Sequence, residues 1–416
     1  HYFQHRKVAE LVRYYGLALP VPVYLSGNPE RLNSIPADFT GISRSQLLSF
    51  GEWLFEEEFL EAIPIQTPHI SGVSYVLPYR TAPAAKGRHR IYLKQMLLTE
   101  RGDTLLPPWA FLQCFLNTRG LRPTASREDF YEDGALSSAR EEFAAAVRRH
   151  LAQLAEEDPD RLKGIVSVHA EAIKAMAVWD DELFQLFIDY LSFETSEGLM
   201  TGAALKRAGE AVWVHSVPKF KQLKPIFMAQ GRLLTCTGYA SDQDLIQAMA
   251  ERFGLPFQPL HEDDMFDTLE DVTAAERQRG ERLLWAADEA LLPFECQAKL
   301  RRFLPADLPV LYAMSDEVQF LRQLQSAQEQ SRGIFSDALA SMLSGVDERP
   351  LATLYLNLNS PIVRRLVTTA DTELLASMAR VLYVQALLAG GHPLRGGELK
   401  TMNQALLDLL EHTAGV

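Results

Sequence analysis

The segment Phe111–Phe130, FLQCFLNTRGLRPTASREDF, decides how the rest of the chain is read. At its upstream end, Trp109 to Leu116 is apolar on every side and reads as a buried helix. Asn117-Thr118-Arg119-Gly120 ends that element, and Pro123 holds the following residues extended. Ser126, with Asp129 three residues on, approximates a capping box, so a new helix is expected with Arg127 in its first turn. Free N–H groups at a helix start attract anions, and a guanidinium held beside them suits bidentate contact with a phosphate. The plainer alternative is a solvated arginine beside Glu128 and Asp129.

The bulk numbers bound the classes. A chain of 416 residues should form two to four domains, each burying a core. Hydrophobic content of 47% and charged content of 23% suit a folded globular protein. A net charge of −13 argues against nucleic acid as the main partner. Cys114, Cys236 and Cys296 are few and far apart, which suits a reducing compartment better than a disulfide framework. No CxxC or His/Cys cluster suggests a metal, and no apolar run approaches the ~18 residues of a membrane span. The cytoplasm is the expected location, with no membrane partner. No GxxxxGK, GxSxG or HExxH occurs, and Gly390-Gly391 and Gly396-Gly397 read as turn glycines.

Outward from the opening segment, Tyr2–Tyr15 reads as a helix with Phe3, Val8, Leu11 and Val12 on one stripe, followed by a strand at Pro20–Leu25. Asn28–Gln66, with Glu56, Glu57 and Glu58, reads as surface helix. Ser71–Pro78 and Ile91–Leu98 read as strands around a basic turn, Ala82–Arg90. Ala135–Glu157 is an amphipathic helix through Phe143, Val147, Leu151 and Leu154, and Leu162–Leu191 is nearly all helix. Ala211–Ser216, Lys219–Gln230, Leu233–Thr237, Asp242–Phe253 and Pro256–Leu260 spell strand, helix, strand, helix, strand. His261-Glu262-Asp263-Asp264 is an acidic linker. A helix at Thr273–Leu292, a strand at Pro309–Ala313 and a helix at Asp316–Gln328 follow, then a polar stretch to Gly333. Leu354–Pro361 is a strand and turn. Two closing helices carry more apolar surface than one domain needs: Leu374, Leu375, Met378, Val381, Leu382, Leu387 and Leu388 on Asp371–Ala389, then Met402, Leu406, Leu409 and Leu410 on Glu398–Glu411. The expected class is α/β and α+β multidomain, and these two stripes are the expected dimer interface.

The order of a hydrophobic element, a loop and Ser-Arg-Glu resembles the middle domain of the heat-shock protein 90 chaperone family, whose pattern is roughly F-I-R-G-V-V-D-S-E-D-L-P-L-N-V-S-R-E. Phe111, Leu121, Ser126, Arg127 and Glu128 align without a gap. Gln113 and Cys114 depart from Arg-Gly, Thr124 from Asn, and Tyr131 stands where a glutamine usually follows. Further similarities keep the family's order. The first helix and strand resemble R-R-I-K-E-I-V and Y-P-I, Tyr190–Ser196 resembles L-L-R-F-x-S-S, Leu354–Pro361 resembles L-E-I-N-P-x-H-P-I, and Tyr383–Leu394 resembles Y-E-T-A-L-L-S-S-G-F-S-L.

The resemblance, to the bacterial high-temperature protein G type of that family, implies an ATP-dependent chaperone in its middle and C-terminal parts. Residues 1–34 would be the tail of an upstream nucleotide-binding domain. Residues 35–160 would form a large α/β subdomain like domain 2 of ribosomal protein S5, 161–210 a helical connector, 211–265 a small α/β subdomain and 266–416 the dimerising domain. ATP with Mg2+ would be bound upstream, with Ser126 and Arg127 on the cofactor and Arg127 against the γ-phosphate. Unfolded client proteins and a second copy of the chain are the implied partners, with clients also around Asp316–Leu324. The basic turn looks like a trimmed form of the family's client-contacting loop. Two alternatives stand beside this: an ATP-independent dimeric holdase, and a mismatch-repair or topoisomerase type ATPase. The acidic balance speaks against the latter.

Overall fold

The computed structural model describes residues 4–27, 29–33, 35–36, 39–81, 88–260, 269–314, 352–392, 394 and 396–414. The chain divides into two units, His1–Ser192 with Thr201–Ala204, and Phe193–Met200 with Leu205–Val416. The described residues are mixed α and β, built on three mixed sheets.

The first helix, α1 (His5–Gly16), is followed by irregular chain rather than by the strand expected at Pro20–Leu25. Pro20 and Pro22 offer no ladder donors. The buried Asn33 takes over instead, accepting from Val23 N at 2.7 Å and donating to the carbonyls of Leu19 and Val21 at 2.9 and 2.7 Å. Nor is Asn28–Gln66 one surface helix. It holds α2 (Arg44–Phe55), opened by a Ser43–Gln46 capping box and closed by Glu56 at φ 58°, and then β1 (Glu61–Gln66). β2 (Ile70–Val76) matches its expectation. The expected single strand at Ile91–Leu98 is a hairpin of β3 (Arg90–Leu93) and β4 (Met96–Thr99), because Lys94 and Gln95 both adopt positive φ and reverse the chain.

The buried helix expected at Trp109–Leu116 is instead a strand, β5 (Leu112–Thr118). Cys114, Phe115 and Leu116 are all fully buried. A strand covered on both faces shows the same unbroken apolar run as a buried helix, so periodicity could not separate them. The sheet order is β1-β2-β5-β3-β4, with β5 antiparallel to β2 and parallel to β3. Phe115 meets Phe39, Phe50 and Tyr92 at ring distances of 5.8, 5.4 and 5.2 Å.

Asp133 caps α3 (Gly134–Glu157) and Asp158 caps α4 (Pro159–Ala177). A third aspartate cap, Asp180, starts α5 (Asp181–Phe187), so Leu162–Leu191 is two helices with a break at Val178–Asp180. At the start of β1 the Glu61 carboxylate, 1% exposed, is held by Arg44 at 3.1 Å from α2 and by Arg161 at 2.9 Å from α4. Three elements are thus tied through one buried charge, an arrangement that is costly to break one-sidedly.

From Ser192 the chain adds β6 (Ser192–Thr195), β7 (Gly198–Thr201) and α6 (Gly202–Ala208), then β8 (Ala211–Val214), α7 (Val217–Ala229), β9 (Leu234–Cys236), α8 (Asp242–Phe253) and β10 (Phe257–Pro259). The strand–helix alternation matches the sequence, and β8 lies parallel to both β9 and β10. β6 and β7, which sequence did not suggest, extend this sheet as β10-β8-β9-β6-β7. Next come β11 (Glu270–Asp271), α9 (Ala274–Leu291), β12 (Cys296–Arg302), β13 (Val310–Ala313), β14 (Ala352–Asn357), α10 (Pro361–Thr368), α11 (Thr372–Ala389) and α12 (Gly396–Ala414). Their sheet runs β11-β12-β14-β13. β12, CQAKLRR, went unpredicted, although Cys296, Ala298 and Leu300 alternate with polar residues and are buried as in a half-covered strand. Gly396 and Gly397 open α12 rather than forming a turn. The readings at His261–Asp264, Asp316–Gln328 and on to Gly333 lie outside the described residues.

By length and composition α11 could cross a membrane. Its Leu375, Leu382, Tyr383 and Leu387 are, however, core residues packed with Leu283, Leu291, Leu300, Leu354 and Leu356.

At Gly72, opposite Leu116, φ is +154° and an added Cβ would lie 2.1 Å from the Phe115 carbonyl oxygen. Gly72→Ala is therefore expected to cost roughly 3 kcal/mol or more, by pushing β2 off β5. Urea unfolding checks this; an unchanged midpoint would refute it.

Candidate functional site

Past β5 the chain turns at Gly120, φ +75°, and makes a tight hairpin. Pro123 and Phe130 form an antiparallel bridge, Thr124 N donates to the Asp129 carbonyl at 2.8 Å, and Tyr131 N donates to the Arg122 carbonyl at 2.8 Å. Leu121 and Phe130 are buried at its base. The helix expected from Ser126 does not form. Arg127 N donates to the Thr124 carbonyl at 3.0 Å, closing a turn, and Arg127 itself sits at φ 57°. The Asp129 side chain serves the hairpin, accepting from Phe130 N at 2.8 Å and from the Thr104 hydroxyl, so it is not free to complete a capping box.

The hairpin is braced on both sides. Arg122 donates to Asp133 Oδ2 from Nη2 at 3.0 Å, and Asp133 also accepts from Leu136 N at 3.0 Å as the cap of α3. That backbone N–H, then Arg122, holds the Asp133 carboxyl below its usual range. Arg122 also lies over the Tyr131 ring, 5.4 Å from its centre. Arg140 joins Glu132 at 2.6 Å and the Thr104 carbonyl.

At the tip, Ser126 and Arg127 are exposed. The Ser126 hydroxyl lies 3.1 Å from that of Thr124. The Arg127 guanidinium has no hydrogen bond or ion pair among the described residues. A non-glycine residue in the left-handed region costs about 1 kcal/mol or more, and such strain concentrates at functional positions. The arrangement is thus a charged donor on a hydrogen-bonded hairpin, with five N–H groups on the guanidinium.

The expected dimer residues separate by burial. Leu375, Leu382 and Leu387 are inside their own chain's core. That corrects their reading as interface residues, since their apolar surface is already covered. Leu374, Met378, Val381, Met402 and Leu409 are half-buried, and Met378 and Met402 lean on that core. Leu388, Leu406 and Leu410 are exposed, as are Leu399 and Leu407, which the sequence reading did not single out. α11 and α12 are joined by the Tyr383 hydroxyl donating to Glu398 at 2.9 Å.

A concavity in the first unit, about 670 Å3, is lined by residues that include Glu56, Glu57, Tyr79, Arg88, His89 and Glu100. His89 is 8% exposed, and burial pushes its pKa down to about 4. Part of the expected basic turn, residues 82–87, lies outside the described residues. Cys114, Cys236 and Cys296 are buried and unbridged, and no metal-binding cluster occurs among the described residues. No protein-family model and no curated protein matches the chain.

His89 sets a pH window. Its folded pKa lies below the ordinary value of 6.5, so below pH 6.5 the unfolded chain takes up a proton that the folded chain refuses. Stability is then expected to fall by about 3 kcal/mol between pH 6.5 and 4 from this group. His89→Gln should flatten that part of the stability–pH curve, measured by denaturant titration at each pH; an unaltered slope would contradict it.

Proposed function

We propose that this chain is the middle and C-terminal part of an ATP-dependent chaperone of the heat-shock protein 90 kind. Its first unit offers Arg127 to the γ-phosphate of ATP held, with Mg2+, by a domain upstream. The observation that carries the reading is Arg127 itself: an exposed guanidinium, unpartnered among the described residues, held by a braced hairpin in a backbone conformation that costs energy to keep. In phosphoryl transfer, charge accumulates on the phosphate oxygens, and a positioned guanidinium stabilises it more in the transition state than in the ground state. Ser126 neighbours the phosphate by this account. Unfolded or partly folded proteins would be the clients, and the cytoplasm the site of action.

Dimerisation completes the proposal. Leu399, Leu406 and Leu407 leave an apolar strip on α12 that the chain's own core does not cover. A second copy related by a two-fold axis would bury it in a four-helix bundle.

A dimeric holdase without ATP turnover is the second reading. Tyr131 favours it: it stands in the place of the family's glutamine, and its ring packs under Arg122.

Two outcomes test these readings. In the complete protein, Arg127→Ala should lower ATP turnover roughly tenfold to a thousandfold with nucleotide affinity little changed. Arg127→Gly should do the same while leaving stability near the parent's, since relieved backbone strain offsets added chain entropy. Unchanged turnover would make Arg127 structural, and no turnover in the parent would favour the holdase. Separately, Leu406→Glu should convert a dimer to a folded monomer in sedimentation experiments, because Leu406 is 41% exposed in the single chain. Leu382→Glu should instead unfold it, costing several kcal/mol as a buried unpaired charge. A monomeric parent would end the dimer proposal.

A further inference from the structure

In the second unit, a concavity of about 250 Å3 lies where β12 and β14 end, bounded by α9 and α10. β12 and β14 are parallel, and the carboxyl ends of parallel strands are where α/β sheets place ligands. Its floor is apolar, made by the buried Leu358 and by Val367. Its walls carry Arg279, Arg302 and Arg364 against a single acid, Glu276. In a chain of net charge −13, three arginines in one hollow are out of proportion.

The charge there is not cancelled. Glu276 is already engaged: it accepts from Thr273 N at 3.0 Å and from the Thr273 hydroxyl at 2.9 Å, capping α9, and it pairs with Arg302. Arg302 is further fixed by donating to Asn359 Oδ1 at 2.8 Å. Arg279 donates only to the Ala275 carbonyl at 3.3 Å, and Arg364 only to the Asn359 carbonyl at 2.7 Å. Neither has a carboxylate partner among the described residues. Each keeps most of its five donors for something else.

We infer that this hollow binds a small dianion with a short apolar body, a phosphate monoester or a dicarboxylate. Arg279 and Arg364 would grip the charged group, with Arg302 as a fixed third donor and Leu358 and Val367 against the apolar part. The volume falls below the roughly 300–1,000 Å3 usual for drug-sized ligands, which limits the ligand to about ten heavy atoms. Paired arginines suit such oxyanions because the planar fork matches two oxygens at once. The site is independent of Arg127 and of whether ATP is turned over.

Calorimetric titration of the intact chain with methyl phosphate, and separately with succinate, tests this at low ionic strength. Saturable one-to-one binding of at least one is expected, and which one binds identifies the source of the anion. Arg279→Gln and Arg364→Gln should each weaken it about tenfold, the effect of losing one charge-assisted contact. Both side chains are exposed, so the variants should fold, which circular dichroism verifies. Arg365→Gln, an exposed neighbour on α10 that does not line the hollow, should leave binding unchanged. No saturable binding of either acid, or equal weakening by Arg365→Gln, would overturn the proposal.

Discussion

The burial of β5 on both faces is the constraint from which the first unit follows. A strand with no solvent face must find partners on both edges and cover above and below. β2 and β3 supply the edges, one antiparallel and one parallel. Phe39, Phe50 and Tyr92 close around Phe115. The close approach of β2 is possible only because Gly72 has no Cβ to meet the Phe115 carbonyl. Where β5 ends, the chain leaves a fully packed element and enters the hairpin whose tip is Arg127. The base of the hairpin is held by the strand and by the braces at Thr104, Asp133 and Glu132.

Charge is used in three distinct ways. At Glu61 a buried carboxylate is satisfied by Arg44 and Arg161, and its effect is to fix α2 and α4 against β1. At the hairpin tip Arg127 has no ion pair among the described residues, so its charge ties no elements together, and the proposed function rests on it. Around Arg302 the two conditions meet, one arginine locked to Glu276 and two others with no carboxylate partner among the described residues. Pairing separates the structural arginines from those open to a ligand; composition does not.

The amino-acid sequence by itself determined the mixed α and β class, the amphipathic helices α3, α8, α9 and α11, and the alternation from β8 to β10. In each of these, local period agrees with the final packing, and α3, α9 and α11 also carry side-chain caps at Asp133, Thr273 and Asp371. The order of residues around Ser126 and Arg127 carries the family resemblance on which the proposed function rests. Tertiary structure decided the rest. Leu112–Thr118 became a strand because its apolar run is compatible with either element, and only neighbouring strands could choose. Arg127 stands on a hairpin instead of a helix because Asp129 bonds to Thr104, twenty-five residues upstream, a partner no local pattern announces. Leu382 and Leu406 look alike in a helical stripe, yet one is in the core and the other on the surface, since burial depends on what packs against each face. The arginines of the second unit come from β12, α9 and α10, far apart in the chain, and only the parallel pairing of β12 with β14 brings them into one hollow.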